Sequence, residues 1–239
     1  MCGRFVAASD PDDLARLFDV DERRTDELAA SYNVAPTMPV YAIAEHAARR
    51  HLVSFRWGLI PNWAGDPKGA SRMINARAET VADKPAYRTA LQRRRCLIPA
   101  DGFYEWRVAN GRGGTSATGA AGRTPFFIHR EDGTPLAFAG LWEAWKQPDG
   151  QWLRTCTIVT TKAAPRLRHL HDRMPVVLPR QAWDRWLDRD ERRPAAALAL
   201  LAEPASDDLV WHEVGHDVNN VRNDRPDLIA AVDHSDTST

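Results

Sequence analysis

Apolar positions along the chain fall into short runs separated by turn residues. Runs of β-type character occur at 40–44, 51–59, 72–76, 96–99, 103–108, 126–129, 136–142 and 153–161, several of them apolar at nearly every position. Helical patterns lie between them at 86–94, 163–170, 180–188 and 194–203. One more helix is signalled by Asp10-Pro11-Asp12-Asp13 ahead of Leu14, Leu17 and Phe18: an N-cap, a proline at the first helical position and acids in the first turn. Trp183, Trp186 and Leu187 recur at i, i+3 and i+4, the face of a helix packed on a core. Strands and helices do not alternate regularly. The pattern therefore predicts a mixed α+β fold with a curved, largely antiparallel sheet rather than parallel βαβ winding.

Asn110 to Thr124 holds five glycines and no apolar period. It reads as a flexible insertion (108–124) inside one hairpin, since strand-like segments flank it. A single domain is expected over 2–230, with a frayed, disordered tail at 231–239.

Composition narrows the function classes. The 239 residues carry 32 basic and 32 acidic side chains, so no global field attracts nucleic acid or anionic lipid, and any nucleic-acid surface must be a local patch. Only four basic residues are lysines (68, 84, 146 and 162); arginine grips phosphate and stacks on bases better than lysine, although genomic base composition accounts for such a bias equally well. The longest apolar run, residues 195–202, falls well short of the roughly 20 residues a membrane helix needs. No secretory pattern opens the chain. Three cysteines, Cys2, Cys96 and Cys156, cannot all pair, and none forms C-x-x-C. A reduced cytoplasmic protein is expected, without membrane association, cofactor or bound metal, and monomeric for want of a heptad or long apolar stripe.

The second residue carries the most distinctive chemistry. Removal of Met1 would leave an N-terminal cysteine, whose α-amine (pKa about 7.7–8.0) and thiol (about 8.5) sit on adjacent carbons. Such a 1,2-aminothiol condenses with an aldehyde to an imine and then closes a five-membered thiazolidine, a reaction closed to an internal cysteine because its nitrogen is an amide. The alternative is that Cys2 is only a small residue ahead of a strand. In Met73-Ile74-Asn75-Ala76-Arg77, period-2 alternation puts Asn75 and Arg77 on one face. Glu105, between Tyr104 and Trp106, is a carboxylate among aromatics suited to acid–base work, or else half of a solvated pair with Arg107. His171 stands beside Asp172 in a loop before a short proline-limited strand. His212-Glu213-Val214-Gly215-His216 matches the zinc-protease pattern H-E-x-x-H, but its surroundings read as a strand entering a turn, and position 222, where a further histidine would fall, holds arginine.

Nine segments in order, MCGRF, YNVAPT, WGLIPNW, INARAET, RRCLIPADGFYEW, AGLWE, TIVTTKA, HDRMPVVL and VNNVRND, resemble the SOS response-associated peptidase family from residue 2 to about 230. The resemblance implies a bifurcated sheet curled into a pseudo-barrel with flanking helices. It also implies a substrate: single-stranded DNA with an abasic site, or a single-strand/duplex junction. By the same resemblance Cys2 is the nucleophile and forms a covalent DNA–protein crosslink that shields the lesion. Asn75 would position the amine and the sugar, Glu105 would act as acid and base, and His171 would assist proton transfer on the sugar oxygen. Arg4, Arg77 and Arg173 would hold phosphates, and Trp63 would pack on a base or wedge the DNA, unless it packs in the core. A lyase side reaction, self-processing peptidase activity and nucleoid association when engaged with DNA are further implications. Three other readings stay open: an N-terminal-nucleophile hydrolase such as a glutamine amidotransferase, a non-covalent single-strand-binding module, and a zinc protease.

Overall fold

A computed structural model describes residues 2–108, 122–202, 204–205 and 207–233. Most of the expected insertion, with Asn110-Gly111, and most of the expected tail lie outside the described residues.

In chain order the strands are β1 (Phe5–Ala7), β2 (Glu22–Arg23), β3 (Ser31–Val34), β4 (Pro39–His46), β5 (Arg49–Trp57), β6 (Asn75–Arg77), β7 (Arg95–Ala100), β8 (Gly102–Val108), β9 (Arg123–Arg130), β10 (Leu136–Lys146), β11 (Trp152–Lys162), β12 (Arg173–Pro175) and β13 (Leu209–Glu213). Among the described residues four α-helices accompany them: α1 (Pro11–Leu17), α2 (Pro85–Arg93), α3 (Trp183–Leu187) and α4 (Pro194–Leu201). Asp10 caps α1 as its sequence signals, its carboxylate accepting from the amides of Asp12 and Asp13.

The strands form two sheets. One runs β12-β11-β10-β7-β4-β5-β2, and a further pairing of β11 with β5 closes the ring β5-β4-β7-β10-β11 into a barrel. The other, β13-β9-β8-β1-β3, packs across one end of it. Most pairings are antiparallel; those of β11 with β5 and β6, and of β2 with β5, are parallel. β8 and β9 pair antiparallel, the hairpin expected around the insertion.

Burial on both faces explains the uninterrupted apolar runs. On β7, Cys96 and Ile98 enter the barrel core while Leu97 faces an outer core beneath the helices; on β10, Phe138 and Ala139 divide in the same way. Trp183, Trp186 and Leu187 fill that outer core as their spacing predicts. Trp186 lodges its indole N–H on the carbonyl of Cys96 at 2.9 Å.

Two expectations need correction. Residues 163–170 form no α-helix; Pro165–Leu167 makes one 3-10 turn, because Ala163 N–H is drawn to the carbonyl of Asp172 and the segment folds back as a loop. Residues 72–76 do not form one strand either. Ala70–Arg72 is a 3-10 turn and pairing begins only at Asn75. Very short strands such as β1 and β3 carry too few residues to show a period.

Candidate functional site

Cys2, Asn75, Glu105 and His171 come from four separate parts of the chain and meet where the second sheet covers the end of the barrel. Cys2 precedes β1, which lies between β3 and β8. Asn75 opens β6, held on β11 by pairing with Ile158. Glu105 is in the middle of β8, opposite Phe126. His171 sits in the loop between β11 and β12.

Cys2 is fully buried and packs in the barrel core with Phe5, whose ring meets Trp57 edge-on at 5.1 Å. Its thiol lies 3.8 Å from the carbonyl oxygen of Arg4. Burial pushes the thiol's pKa up, and the nearby Glu105 carboxylate adds to this. Asn75 Nδ2 donates to the carbonyl of Cys2 at 2.7 Å, while its buried Oδ1 has no hydrogen-bond partner among the described residues. Tyr87 supports this strand from behind, its hydroxyl donating to the carbonyl of Asn75 at 3.3 Å.

Glu105 is 3% exposed, which removes the solvated-pair reading; Arg107 instead lays its guanidinium over Phe126 at 4.8 Å. Burial pushes the Glu105 carboxyl up to about 7, with the Asp172 charge contributing in the same direction. At neutral pH it is therefore both a proton donor and a proton acceptor. His171 Nε2 stands 4.0 Å from Glu105 Oε2. On the other side of the ring, Nδ1 lies 2.9 Å from the amide nitrogen of Arg173 and 2.8 Å from Asp172 Oδ1. A neutral ring accepts from that amide and carries its proton on Nε2, toward Glu105; a protonated ring gives its Nδ1 proton to Asp172. Partial burial lowers the His171 pKa, which favours the neutral form.

The four residues expected to meet DNA differ in their freedom. Trp63 is 68% exposed, so it is not core. It is carried out of the barrel by the turn at Gly58, whose φ of +124° and close approach to the Ala70 carbonyl leave no room for a side chain. Arg77 is exposed and its side chain makes no hydrogen bond or ion pair among the described residues. Arg4 and Arg173 are already engaged. Arg4 donates to Asn33 Oδ1 at 2.7 Å and to the carbonyl of Val218 at 2.8 Å. Arg173 grips Glu79 through two bonds of 2.6 and 3.0 Å and donates to the carbonyl of Thr160 at 2.7 Å.

Sequence reasoning assigned no role to Asn33 or Glu79. Asn33 is 1% exposed and turns its Nδ2 to the carbonyls of Val218, Asn220 and Asn223, locking the C-terminal turn behind Arg4. The signal was available in YNVAPT and VNNVRND, where an asparagine inside an apolar stretch asks for carbonyl partners. Glu79, in INARAET, aims Arg173 and through its backbone the His171 loop.

H-E-x-x-H lies on β13 and the 3-10 turn His216–Asn219, not on one helix. His212 Nε2 is 2.7 Å from the carbonyl of Ile229. Among the described residues no three His, Cys, Asp or Glu side chains gather as a metal site, and no helix is long and apolar enough to cross a membrane.

Comparison with known proteins gives a consistent picture. The family model described as SOS response associated peptidase matches residues 1–221. Abasic site processing protein YoqW of Bacillus subtilis is 40% identical over 230 residues, covering 96% of this chain and 99% of that protein. YedK of Escherichia coli, another abasic site processing protein, is 31% identical, with 97% and 100% covered. A crystal structure of a Bordetella bronchiseptica protein superposes with a TM-score of 0.73 at 28% identity, covering 90% of this chain and all of that one. A Bacteroides thetaiotaomicron protein reaches 0.81 at 22% identity, covering 97% and 100%, a likeness of fold.

Proposed function

This chain belongs to the SOS response-associated peptidase family, and from that premise we propose that it processes abasic sites in single-stranded DNA by capturing them on Cys2. The observation that carries the reading is the gathering of Cys2, Asn75, a Glu105 titrating near 7 and His171 at one end of the barrel.

Removal of Met1 frees the α-amine of Cys2. Asn75 holds the Cys2 carbonyl, and its unpartnered Oδ1 is the acceptor at hand for an amine proton. The ring-opened sugar presents an aldehyde at C1′. The amine nitrogen attacks that carbon, the C=O electron pair moves to oxygen, and protonation gives a carbinolamine. Protonated Glu105 gives its proton to the departing hydroxyl, which leaves as water, and an iminium remains. The Glu105 carboxylate so formed takes the thiol proton. Sulfur bonds to C1′, the C=N pair returns to nitrogen, and the carboxyl group is restored. One water leaves overall. The His171 Nε2 proton, pointing toward Glu105, serves the sugar oxygen during ring opening.

Burial raises the thiol pKa, so little thiolate stands free before the iminium forms; deprotonation by Glu105 next to a cationic carbon supplies it on demand. Ring closure is intramolecular, and effective molarities of about 10⁵–10⁸ M apply to well-oriented reactions of this kind. The same iminium opens a lyase branch if a base removes a C2′ proton and the 3′-phosphate leaves. Ring closure suppresses that branch by consuming the iminium. Exposed Arg77 is the readiest phosphate contact, with Arg4 and Arg173 at the edge of the site; Trp63 offers a stacking face.

Intact-mass measurement after incubation with an abasic oligonucleotide tests the reading. The expected product is a heat-stable species at the summed mass of Met1-free protein and oligonucleotide, less one water. Absence of that species, or its formation by protein retaining Met1, rejects it. Asn75→Ala is expected to slow capture about 10²-fold, since misplacing a reacting group by about 1 Å costs that much, with DNA affinity unchanged; single-turnover kinetics alongside anisotropy separates the two. Trp63→Ala is expected to weaken binding of the same oligonucleotide about 5- to 150-fold, the equivalent of about 1–3 kcal/mol for one stacked base, with no change in melting temperature.

A further inference from the structure

The barrel has a second opening that the Cys2 chemistry does not use. On β5, His51 lies six residues before Trp57, roughly 20 Å along the strand at about 3.3 Å per residue. Trp57 belongs to the Cys2 end, against Phe5. Around His51 is a cavity of about 500 Å³, within the size range of small-ligand sites. The stacked pair Phe55 and Trp142, ring centroids 5.3 Å apart at 24°, lines it, and none of Cys2, Asn75, Glu105 or His171 does.

Three arginines from distant parts of the chain line this cavity: Arg24 after β2, Arg154 on β11 and Arg189 after α3. Against them stands one lining carboxylate, Glu45. Arg24 is bonded to Glu22 at 2.8 Å and Arg189 to His46 Nδ1 at 2.9 Å. Arg154 is exposed and makes no hydrogen bond or ion pair among the described residues. His51 is 3% exposed, yet neither ring nitrogen has a hydrogen-bond partner among the described residues, and Nδ1 comes only within 3.6 Å of Glu22 Oε2. A buried imidazole with both nitrogens unsatisfied is costly unless something completes it.

The geometry points to a binding site for one nucleotide unit in this mouth of the barrel, its phosphate held by Arg154 and Arg189 and its base laid against the half-buried Trp142 beside His51. Arginine forks match phosphate oxygens, and an aromatic face accepts any base. A neutral sugar would leave the arginines unanswered, and inorganic phosphate would leave the aromatic wall bare. The unit can be a free mononucleotide or a nucleotide of the DNA strand outside the lesion. The site is separate from Cys2, so it does not depend on the capture chemistry.

Calorimetry on the full chain tests this, with a nucleoside monophosphate, the matching nucleoside, inorganic phosphate and a short undamaged single strand as separate titrants. The monophosphate or the strand is expected to bind at least about tenfold tighter than nucleoside or phosphate. Arg154→Glu is expected to weaken that binding about tenfold or more, a charge-assisted contact being lost and a repulsion gained. Arg189→Glu should do the same, and Cys2→Ala should leave it unchanged. A strand that competes through Arg154 identifies DNA as the source; free monophosphate binding without such competition identifies a soluble nucleotide. Binding of neither, or binding indifferent to both arginine variants in proteins that melt normally, overturns the proposal.

Discussion

Replacing Cys2 by alanine is expected to remove the heat-stable DNA adduct altogether while leaving non-covalent binding within about threefold. Alanine is small enough for Met1 removal to continue and keeps the α-amine, so the carbinolamine and iminium still form. What it lacks is the sulfur that closes the ring. The iminium then has only two exits, hydrolysis and β-elimination. Borohydride-trappable adduct is therefore expected to persist, and strand cleavage to rise as the competing ring closure disappears. Denaturing gels with and without heat, run beside a borohydride-treated sample, read all three quantities. A heat-stable adduct of undiminished yield in Cys2→Ala would place the linkage elsewhere. Folding is expected to survive, because the change removes one sulfur atom from a core formed by more than twenty buried residues; the cost is on the order of 1 kcal/mol.

Glu105→Gln has the second largest expected effect and acts in opposite directions on rate and stability. Glutamine retains shape and hydrogen-bonding capacity but cannot pass a proton. Adduct formation at pH 7 is expected to slow about 10²- to 10⁴-fold, the usual worth of a positioned acid–base group. The inflection near pH 7 in the wild-type rate profile is expected to vanish. Stability follows from the same carboxyl. Its pKa in the folded protein, about 7, is above the ordinary 4.5, chiefly because of burial. The folded state thus binds this proton more tightly than the unfolded chain does. The resulting stabilisation is fully present below about pH 4.5 and is lost as pH rises through 7. Above pH 7 the wild type holds a buried carboxylate that glutamine does not, so the variant is expected to be more stable there by up to about 3 kcal/mol. Denaturant titrations at pH 5 and pH 8 measure the difference. Equal destabilisation at both pH values would show that Glu105 is ionised throughout and would remove it from proton transfer.

The wild-type protein thus retains a group that costs stability at the pH where it is half protonated. Such a cost is usual where a side chain is held for chemistry rather than packing. His171 and Asp172 show the same economy on a smaller scale: one imidazole nitrogen faces both a backbone donor and a carboxylate, so either protonation state of the ring has a partner.

The legible parts of the fold are those where burial imposes a long pattern. β4, β7 and β10 are covered on both faces by the barrel core and the outer core, so each writes a continuous apolar run, whereas β5 and β11 are interrupted by Ser54, Arg56, Arg154 and Thr155. Asp10-Pro11 announced α1 because a cap and a proline constrain the backbone locally. Segment 163–170 misled because its apolar spacing suits a helix while Pro165 and the bond from Ala163 to Asp172 make it a loop. The three-residue strands β1 and β12 are shorter than any period can register, yet Cys2 and Arg4 lead into the first, and His171 and Arg173 lie at the start of the second.

The order of the residues determined the chemistry on offer: an aminothiol behind one removable methionine, a carboxylate between aromatics, and Asn75 and Arg77 on a shared face. These depend on covalent neighbours and on the alternation of a strand, both local properties. Tertiary structure decided which of them could act together. Whether Glu105 is solvated or buried, whether Trp63 is core or surface, which arginines remain free, and that a second mouth gathers Arg24, Arg154 and Arg189 around His51 are all set by segments far apart in the chain. Burial and the fields that move proton affinities arise only when the sheets close around these groups.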